Sequence, residues 1–282
     1  MNQPEWQLKL KDSLTSLTTS REKIEGMMDI KTPYIPNRLF KCRGITKNAM
    51  NNFIEKTLFC ASPDTFNDPY ECALQANFYF GNDLDDLLAQ AAGELDSLQL
   101  EALKSVVESR YEKMSNEVSL AFRSKMMGIY KICSLSERID SILMWSHYAE
   151  DHKGFAMEYD FHQLPRRDVC VRSLWPVLYD SGMLDVSHLF ASDDRPDDFN
   201  NLFGIAAAIH KTEDWQYEKE WRLIINSNEP LNVPAPLKAI YIGARAAEKD
   251  REALIAAANF SGVPVFQMRL AERRFAMTYD PA

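Results

Sequence analysis

The densest group of residues able to do chemistry is WQYEKEWR at residues 215–222. If residues 218–225 form a strand, the two-residue period of a strand places Glu218, Glu220 and Arg222 on one face. Two carboxylates beside a guanidinium can stabilise developing positive charge and accept a proton. The alternative is a solvent-exposed strand face closed by a salt bridge, because runs of charge usually lie on the surface.

A second group consists of Ser134 and Ser136, at the end of a predicted strand. Because they are two residues apart, their hydroxyls point to the same side of that strand. Hydroxyls in this arrangement can hold a ribose or orient a carboxylate. The alternative is an ordinary helix cap ahead of Asp140.

Lys41 and Arg43 form a third group, again two residues apart on a predicted strand. A guanidinium binds oxyanions through two parallel hydrogen bonds, so this pair is suited to holding phosphates. The alternative is an edge strand whose charged residues prevent pairing with other chains.

Several classes of enzyme are disfavoured by motifs that the sequence lacks. It contains no G-x-G-x-x-G, no G-x-x-x-x-G-K-[S/T] and no G-x-S-x-G, which are the loops of dinucleotide-binding folds, P-loop proteins and α/β-hydrolases. The five cysteines form no C-x-x-C pair, and His147 and His152 lie too far apart to share one helix face. We therefore predict reduced thiols and no metal site.

The composition is that of a folded protein. The chain has 282 residues, of which 46% are hydrophobic, which is ample for a core. The net charge of −9 disfavours a dedicated nucleic-acid-binding protein, although a local basic groove is compatible with it. No apolar run approaches the roughly 18 to 20 residues of a membrane span, and the N-terminus lacks a signal peptide's apolar centre. We expect a soluble, cytoplasmic protein.

The elements that must position the three groups follow from the apolar spacing. They are an N-terminal helix at about residues 3–28, a strand–helix–strand unit at 38–61, a helical insertion at about 83–126, strands at 128–134 and 220–225, and a closing β-α-β unit at 239–268. The apolar stripe of the insertion is one-sided, so we expect the insertion to pack outside the sheet. The sequence predicts a single α+β domain over residues 1–282, with a mixed central sheet and flanking helices.

Six short motifs resemble those of a bacterial family called domain of unknown function 2971. They are LFKCR at residues 39–43, TLF at 57–59, FNDPYE at 66–71, MWSHYA at 144–149, GF at 154–155 and WQYEKEWR at 215–222. The family name implies no activity.

The order of the three groups also resembles the mono-ADP-ribosyltransferases of the Arg-Ser-Glu class. These enzymes carry an Arg on an early strand, an S-x-S strand and an E-x-E element, which Arg43, Ser134 with Ser136, and Glu218 with Glu220 match in that order. The resemblance implies an ADP-ribosyltransferase-like fold and NAD as the substrate. It also implies transfer of ADP-ribose to a macromolecular acceptor that the sequence does not identify.

The resemblance implies a role for each residue. Arg43 and Lys41 would neutralise the phosphates of NAD, Ser136 would contact the ribose, and an aromatic ring of Trp145 or Tyr148 would stack on the nicotinamide. Glu220, held by Ser134, would stabilise the oxocarbenium-like ribose. Glu218 would position or deprotonate the acceptor.

This interpretation has two alternatives and a geometric consequence. The alternatives are a non-catalytic ligand-binding or regulatory module and a nucleic-acid-directed effector. The consequence is that Arg43, Ser134, Tyr148 and Glu220 should surround one cavity, because a common cleft is needed to bind phosphate, ribose and nicotinamide together.

We also expect Glu220→Gln to slow NAD turnover on the order of 100-fold with little change in melting temperature.

Overall fold

A computed structural model describes residues 3–77, 89, 95–190 and 196–282. These residues form a mixed α+β architecture around an eight-stranded sheet with helices on its faces. The predicted fold class is therefore confirmed. Within the described residues, no helix combines the length and apolar character needed to cross a membrane.

The helices and strands are numbered in chain order. The α-helices of the described residues are α1 (Glu5–Leu14), α2 (Arg21–Lys31), α3 (Lys47–Ile54), α4 (Ser97–Ile129), α5 (Ile142–Tyr148), α6 (Val169–Ser173), α7 (Phe203–Ile209) and α8 (Glu248–Ser261). The strands are β1 (Leu39–Arg43), β2 (Thr57–Cys60), β3 (Tyr130–Ser136), β4 (Phe155–Tyr159), β5 (Leu174–Pro176), β6 (Leu178–Asp180), β7 (His210–Thr212), β8 (Glu220–Asn226), β9 (Leu231–Pro234), β10 (Leu237–Ile242), β11 (Val265–Leu270) and β12 (Met277–Pro281).

The large sheet has the strand order β12-β11-β10-β4-β1-β3-β8-β5. Strands β10 and β11 are parallel and are connected by α8, so the predicted closing β-α-β unit is confirmed. The neighbours β1, β3 and β8 are antiparallel. This order brings together the three strands on which the sequence places its Arg, Ser and Glu groups.

The two faces of the sheet differ in polarity near β3 and β8. Cys133 and Leu135 of β3 lie opposite Leu223 and Trp221 of β8, and all four side chains belong to one buried apolar cluster. On the other face, Ser134 lies opposite Arg222 and Ser136 opposite Glu220. The two-residue period of a strand therefore separates an apolar core from a polar wall.

The N-terminal helix predicted at residues 3–28 is two helices, α1 and α2. The chain leaves helical geometry after Leu14, and α2 begins after Ser20, whose hydroxyl accepts a hydrogen bond from the backbone N–H of Lys23. Such a cap satisfies a backbone donor that a new helix leaves unpaired. The apolar spacing runs through both helices, which is why it did not reveal the break.

The predicted helical insertion is present in part as α4, which spans Ser97–Ile129. Asp96 and Gln99 form a reciprocal capping box at its start. Near its other end, Met126 packs in an apolar cluster beside the sheet, and the helix is not a member of the sheet layer. The shorter partner helix expected at residues 83–96 lies largely outside the described residues.

Lys31 at the end of α2 is fully buried and joins α2 to α6. Its ammonium donates hydrogen bonds to the carbonyl oxygens of Val171, Arg172 and Leu174 and lies 4.3 Å from the centroid of the Trp175 ring. Burial lowers the pKa of Lys31 to about 7. The three carbonyl acceptors favour the protonated form, because the ammonium has one donor for each of them.

Lys31→Met is expected to lower the free energy of unfolding by about 2 to 4 kcal/mol, because it leaves three buried carbonyls without their donor. Thermal or urea unfolding measures this loss. Lys23→Met on the same helix is the control, since Lys23 makes exposed hydrogen bonds to Thr18. Equal stability of the two variants would show that the buried ammonium contributes nothing specific.

Candidate functional site

A cavity of about 490 Å³ opens beside β1, β3 and β8. Strands β1 and β3 pair at Phe40 and Ser136, and this is their one register pair. Beyond that point the ammonium of Lys41 reaches across to the carbonyl oxygen of Ser134 at 2.8 Å. The consecutive residues Lys41, Cys42 and Arg43 all line the cavity, which shows that both sides of β1 border the opening between the strands.

Arg43, Ser134, Tyr148 and Glu220 all line this cavity, so the prediction that they surround one cleft is confirmed. Three further predicted site residues line it as well, namely Lys41, Ser136 and Glu218. Their chemical roles remain predictions. The alternative of a solvent-exposed charged strand is wrong, since Glu218, Glu220 and Arg222 are only 4%, 5% and 1% exposed.

Trp145 is the predicted site residue that the fold does not bring to the cavity. Its side chain is fully buried in an apolar cluster, and its indole N–H donates to the carbonyl oxygen of Ile139 at 2.6 Å. Both the ring and its polar atom are therefore committed to packing on α5. Tyr148, three residues later on that helix, is the aromatic residue of the pair that lines the cavity.

The position of Glu218 differs from the expected strand geometry. A short 3-10 helix spans Glu213–Glu218, and β8 begins at Glu220. Between them, Lys219 adopts a left-handed conformation with φ of 46° and is exposed. Glu218 and Glu220 therefore converge through a turn of the chain and not through the period of a strand.

Lys211 of β7 holds the two carboxylates together. Its ammonium is 2.7 Å from Oε2 of Glu218 and 3.1 Å from Oε2 of Glu220, and all three side chains are buried. The ring of Trp215 lies 4.5 Å from the same ammonium. A buried charge is costly unless it is paired, so this shared cation offsets the cost of placing two carboxyl groups side by side in the interior.

Arg222 connects the same carboxylates to a third one. Its Nε donates to Glu220 Oε1 at 2.8 Å, and its two terminal nitrogens donate to the carboxylate of Glu71. One of those nitrogens also donates to the carbonyl oxygen of Ala208 at 2.6 Å. A single guanidinium therefore ties β8 to α7 and to the loop that carries Glu71.

Most of the acceptor capacity of Glu220 is used by the protein. It accepts hydrogen bonds from Arg222 Nε, from Arg222 Nη2 at 3.4 Å and from Lys211. Burial alone would raise the pKa of Glu220, but the charges of Arg222 and Lys211, with these hydrogen bonds, hold it at about 2. Glu220 is therefore ionised throughout the physiological pH range.

Glu218 has acceptor sites to spare. Its Oε1 accepts from the hydroxyl of Tyr148 at 2.6 Å, and its Oε2 accepts from Lys211. A carboxylate can accept about four hydrogen bonds, so roughly two sites stay open on a residue that lines the cavity. Asn67 Nδ2 donates a hydrogen bond to the Tyr148 hydroxyl oxygen at 3.3 Å. The proton of that hydroxyl is therefore the one donated to Glu218.

Arg43 of β1 is an uncommitted cation that lines the same cavity. Within the described part of the chain, its guanidinium has neither a hydrogen bond nor an ion pair, and it is half-buried. Repulsion from Arg43 adds to the burial that lowers the pKa of Lys41. An anion bound here would gain charge-assisted hydrogen bonds at no cost to an existing pair.

Sequence reasoning did not identify Lys211 and Glu71 as site residues. Glu71 belongs to the FNDPYE motif, and the side chain of Arg123 on α4 donates to its carbonyl oxygen at 2.9 Å. Turn formation explains the Asn, Asp and Pro of that motif but not its Glu71, so the motif was the available sign that Glu71 has a role in the site. Lys211 follows the apolar helix α7 with no motif of its own, so its role is visible only in the fold.

Comparison with known proteins gives one finding. A family described as protein of unknown function (DUF2971) matches residues 144–223. The match covers Tyr148, Lys211, Glu218, Glu220 and Arg222, and it supports the family resemblance over that part of the chain. No curated protein and no solved structure matches this chain.

Proposed function

We propose that this protein is an ADP-ribosyltransferase-like enzyme that cleaves the nicotinamide–ribose bond of NAD in the cavity beside β1, β3 and β8. One observation carries the proposal. Strand β1 directs Arg43 to the cavity, the adjacent strand β3 directs Ser134 to it, and the turn that leads into β8 directs Glu218 and Glu220 to it. An anion-binding group, a hydroxyl group and a carboxylate group are what a dinucleotide bearing phosphates and a reactive ribose requires.

In this proposal Arg43 binds the phosphates. Its guanidinium is free of protein partners in the described structure, and the Lys41 ammonium is the neighbouring positive charge on the same strand. Lys211 and Arg222 are fully paired with carboxylates and are therefore unsuited to the task. Arg43 thus supplies most of the binding of the diphosphate.

The carboxylate that meets the ribose is Glu218. When nicotinamide leaves with the electron pair of its bond, the ribose carbon becomes positively charged, and a nearby carboxylate stabilises that charge. Glu220 already accepts three hydrogen bonds from Arg222 and Lys211, whereas Glu218 accepts two and has about two sites open. The acceptor then bonds to the ribose carbon, and Glu218 accepts the proton that the acceptor loses. Water as acceptor would give hydrolysis.

Glu220 and Tyr148 act through Glu218. Lys211 pairs with both Glu218 and Glu220. Glu220 therefore fixes the position of the Lys211 ammonium, and that ammonium positions Glu218. Burial raises the pKa of Tyr148, as does the adjacent Glu218, so the phenol stays protonated and keeps donating to Glu218. The Tyr148 ring lines the cavity, where it can also contact the nicotinamide.

The test is nicotinamide release from NAD by the purified protein, followed by chromatography. Arg43→Gln is expected to raise the KM for NAD roughly 10-fold or more, because it removes a charge-assisted contact with phosphate. The melting temperature should not change, since Arg43 has no protein partner to lose.

The matched control is Arg269→Gln, which removes an exposed arginine that pairs with Asp280 at the sheet edge. It should leave the KM for NAD unchanged. A wild-type protein that releases no nicotinamide would refute the enzymatic proposal. An Arg43→Gln variant with an unaltered KM would refute the phosphate role of Arg43.

A non-catalytic binding module is the second candidate. It is favoured by the pairing of Glu220 with Lys211 and Arg222, because Glu220 is the carboxylate that the Arg-Ser-Glu pattern places opposite the ribose. For this module we expect NAD or ADP-ribose to raise the melting temperature without any release of nicotinamide. The two candidates are therefore separated by measuring turnover and thermal stabilisation on one preparation.

A further inference from the structure

Lys41 is an amine that the ion-pair network of the cavity leaves out. Its Nζ donates one hydrogen bond, to the carbonyl oxygen of Ser134 at 2.8 Å, and no carboxylate of the described residues lies within ion-pair distance of it. We propose that Lys41 is a nucleophile that forms an imine with an aldehyde bearing a phosphate group, and that Arg43 binds that phosphate. This carbonyl chemistry does not depend on the cleavage of NAD.

The position of Lys41 makes it accessible to a ligand in the cavity. Strands β1 and β3 pair at Phe40 and Ser136, and beyond that pair the Lys41 side chain crosses the opening between the strands to reach Ser134. Lys41 and Ser134 both line the cavity of about 490 Å³, and Lys41 is half-buried. A lysine nitrogen has room for three hydrogen bonds, so two positions on Nζ are open to a bound molecule.

The surroundings of Lys41 favour the neutral amine, which is the form whose lone pair attacks a carbonyl carbon. Burial lowers the pKa of Lys41, and repulsion from Arg43 lowers it further. Cys133 and Glu220 act in the opposite direction and do not offset the burial. The neutral amine keeps its hydrogen bond to Ser134, because one of its two remaining N–H groups can donate it.

Two other buried lysines differ from Lys41 in what holds them. The ammonium of Lys211 is paired with two carboxylates, which favour its charged form. The ammonium of Lys31 donates to three carbonyl oxygens, so each of its protons is engaged. Lys41, with one acceptor and no paired carboxylate among the described residues, is the lysine of the three that is suited to nucleophilic attack.

Imine formation at Lys41 needs no oxidant or reductant. The nitrogen attacks the aldehyde carbon, a C–N bond forms, and the electron pair of the C=O double bond moves to the oxygen to give a carbinolamine. The C–O bond of the carbinolamine then breaks. The oxygen leaves as water with the two protons that the neutral amine carried, and a C=N bond remains.

Arg43 supplies the second half of the site. It follows Lys41 by two residues on β1, so both side chains leave the same side of the strand with their Cα atoms about 7 Å apart. Its guanidinium has neither a hydrogen bond nor an ion pair among the described residues and can bind a phosphate through two parallel hydrogen bonds. A molecule with an aldehyde and a phosphate a few bonds apart can therefore engage both residues.

The test uses the full chain and pyridoxal 5′-phosphate, which carries an aldehyde and a phosphate on one small ring. Borohydride reduction traps the imine, and mass spectrometry of the digested protein locates it. We expect Lys41 to be trapped at least roughly 10-fold faster than Lys238, an exposed lysine of the same protein, because a held phosphate keeps the aldehyde near the amine. Trapping of Lys41 at the rate of Lys238 or below would overturn the proposal.

The phosphate role of Arg43 is tested with pyridoxal, which has the aldehyde but no phosphate. Arg43→Gln should slow the trapping of Lys41 by pyridoxal 5′-phosphate roughly 10-fold more than its trapping by pyridoxal. Arg269→Gln at the sheet edge is the control and should leave both rates unchanged. An equal effect of Arg43→Gln on both aldehydes would refute phosphate binding by Arg43. None of these measurements involves NAD, so their failure is distinguishable from failure of the enzymatic proposal.

Discussion

Glu218→Gln is expected to reduce nicotinamide release from NAD on the order of 100-fold, while the affinity for NAD changes little. The carboxylate is needed when the ribose becomes positively charged, so its loss affects the transition state more than the bound substrate. A stabilisation of about 3 kcal/mol corresponds to that factor in rate. Single-turnover nicotinamide release and thermal stabilisation by NAD measure the two quantities separately.

The control for this prediction is Glu213→Gln, at the start of the same 3-10 helix and exposed to solvent. It should turn over NAD at the wild-type rate. If Glu218→Gln keeps full activity in a folded protein, the ribose-facing role of Glu218 is wrong, and the non-catalytic module becomes the better account of the cavity.

Glu220→Gln cannot serve as the clean test that the sequence suggested. The expectation of little change in melting temperature assumed a carboxylate held by Ser134, without buried ion pairs. In the fold, Glu220 is buried against Arg222 and Lys211, and its neutralisation leaves both cations undercompensated. Stability and turnover should therefore fall together in Glu220→Gln.

The arrangement of the site on its strands could be predicted because it depends on short-range periodicity. Ser134 and Ser136 share a strand face, and so do Glu220 and Arg222, as a two-residue period requires. The order in which β1, β3 and β8 lie in the sheet is a tertiary property. Neither the pattern of residues nor the resemblance to ADP-ribosyltransferases predicted that order, since the resemblance implied only that the three groups share one cleft.

The burial of the site side chains could not be predicted. The two-residue period of a strand tells which side chains share a face of the sheet, but not which other parts of the chain cover that face. Glu218, Glu220 and Arg222 of the run at residues 215–222 are buried because Lys211 and Glu71, from other parts of the chain, supply their counter-charges. The left-handed turn at Lys219 has no signal in a sequence without glycine at that position. Trp145 looked suitable for stacking by residue type alone, and its burial followed from the packing of α5.

Arg222→Met is expected to lower the free energy of unfolding by about 3 to 5 kcal/mol, because it leaves Glu71 and part of Glu220 as buried charges without a partner. For a chain of this size that loss corresponds to a decrease in melting temperature of about 10 °C. The control is Arg269→Gln, whose exposed ion pair with Asp280 contributes at most about 1 kcal/mol. A melting temperature within the range of that control would contradict the structural importance of the network.

The pH dependence of Arg222→Met separates lost charge pairing from lost packing. In the wild-type protein the pKa of Glu220 is lowered from 4.5 to about 2, so its ion pairs contribute stability above pH 4.5 and lose that contribution as the pH falls towards 2. The stability difference between wild type and variant should therefore be largest near neutral pH and shrink below pH 4.5. Urea unfolding of both proteins between pH 3 and pH 7 measures the difference, and a value that stays constant over this range would mean that Arg222 stabilises the fold through packing alone.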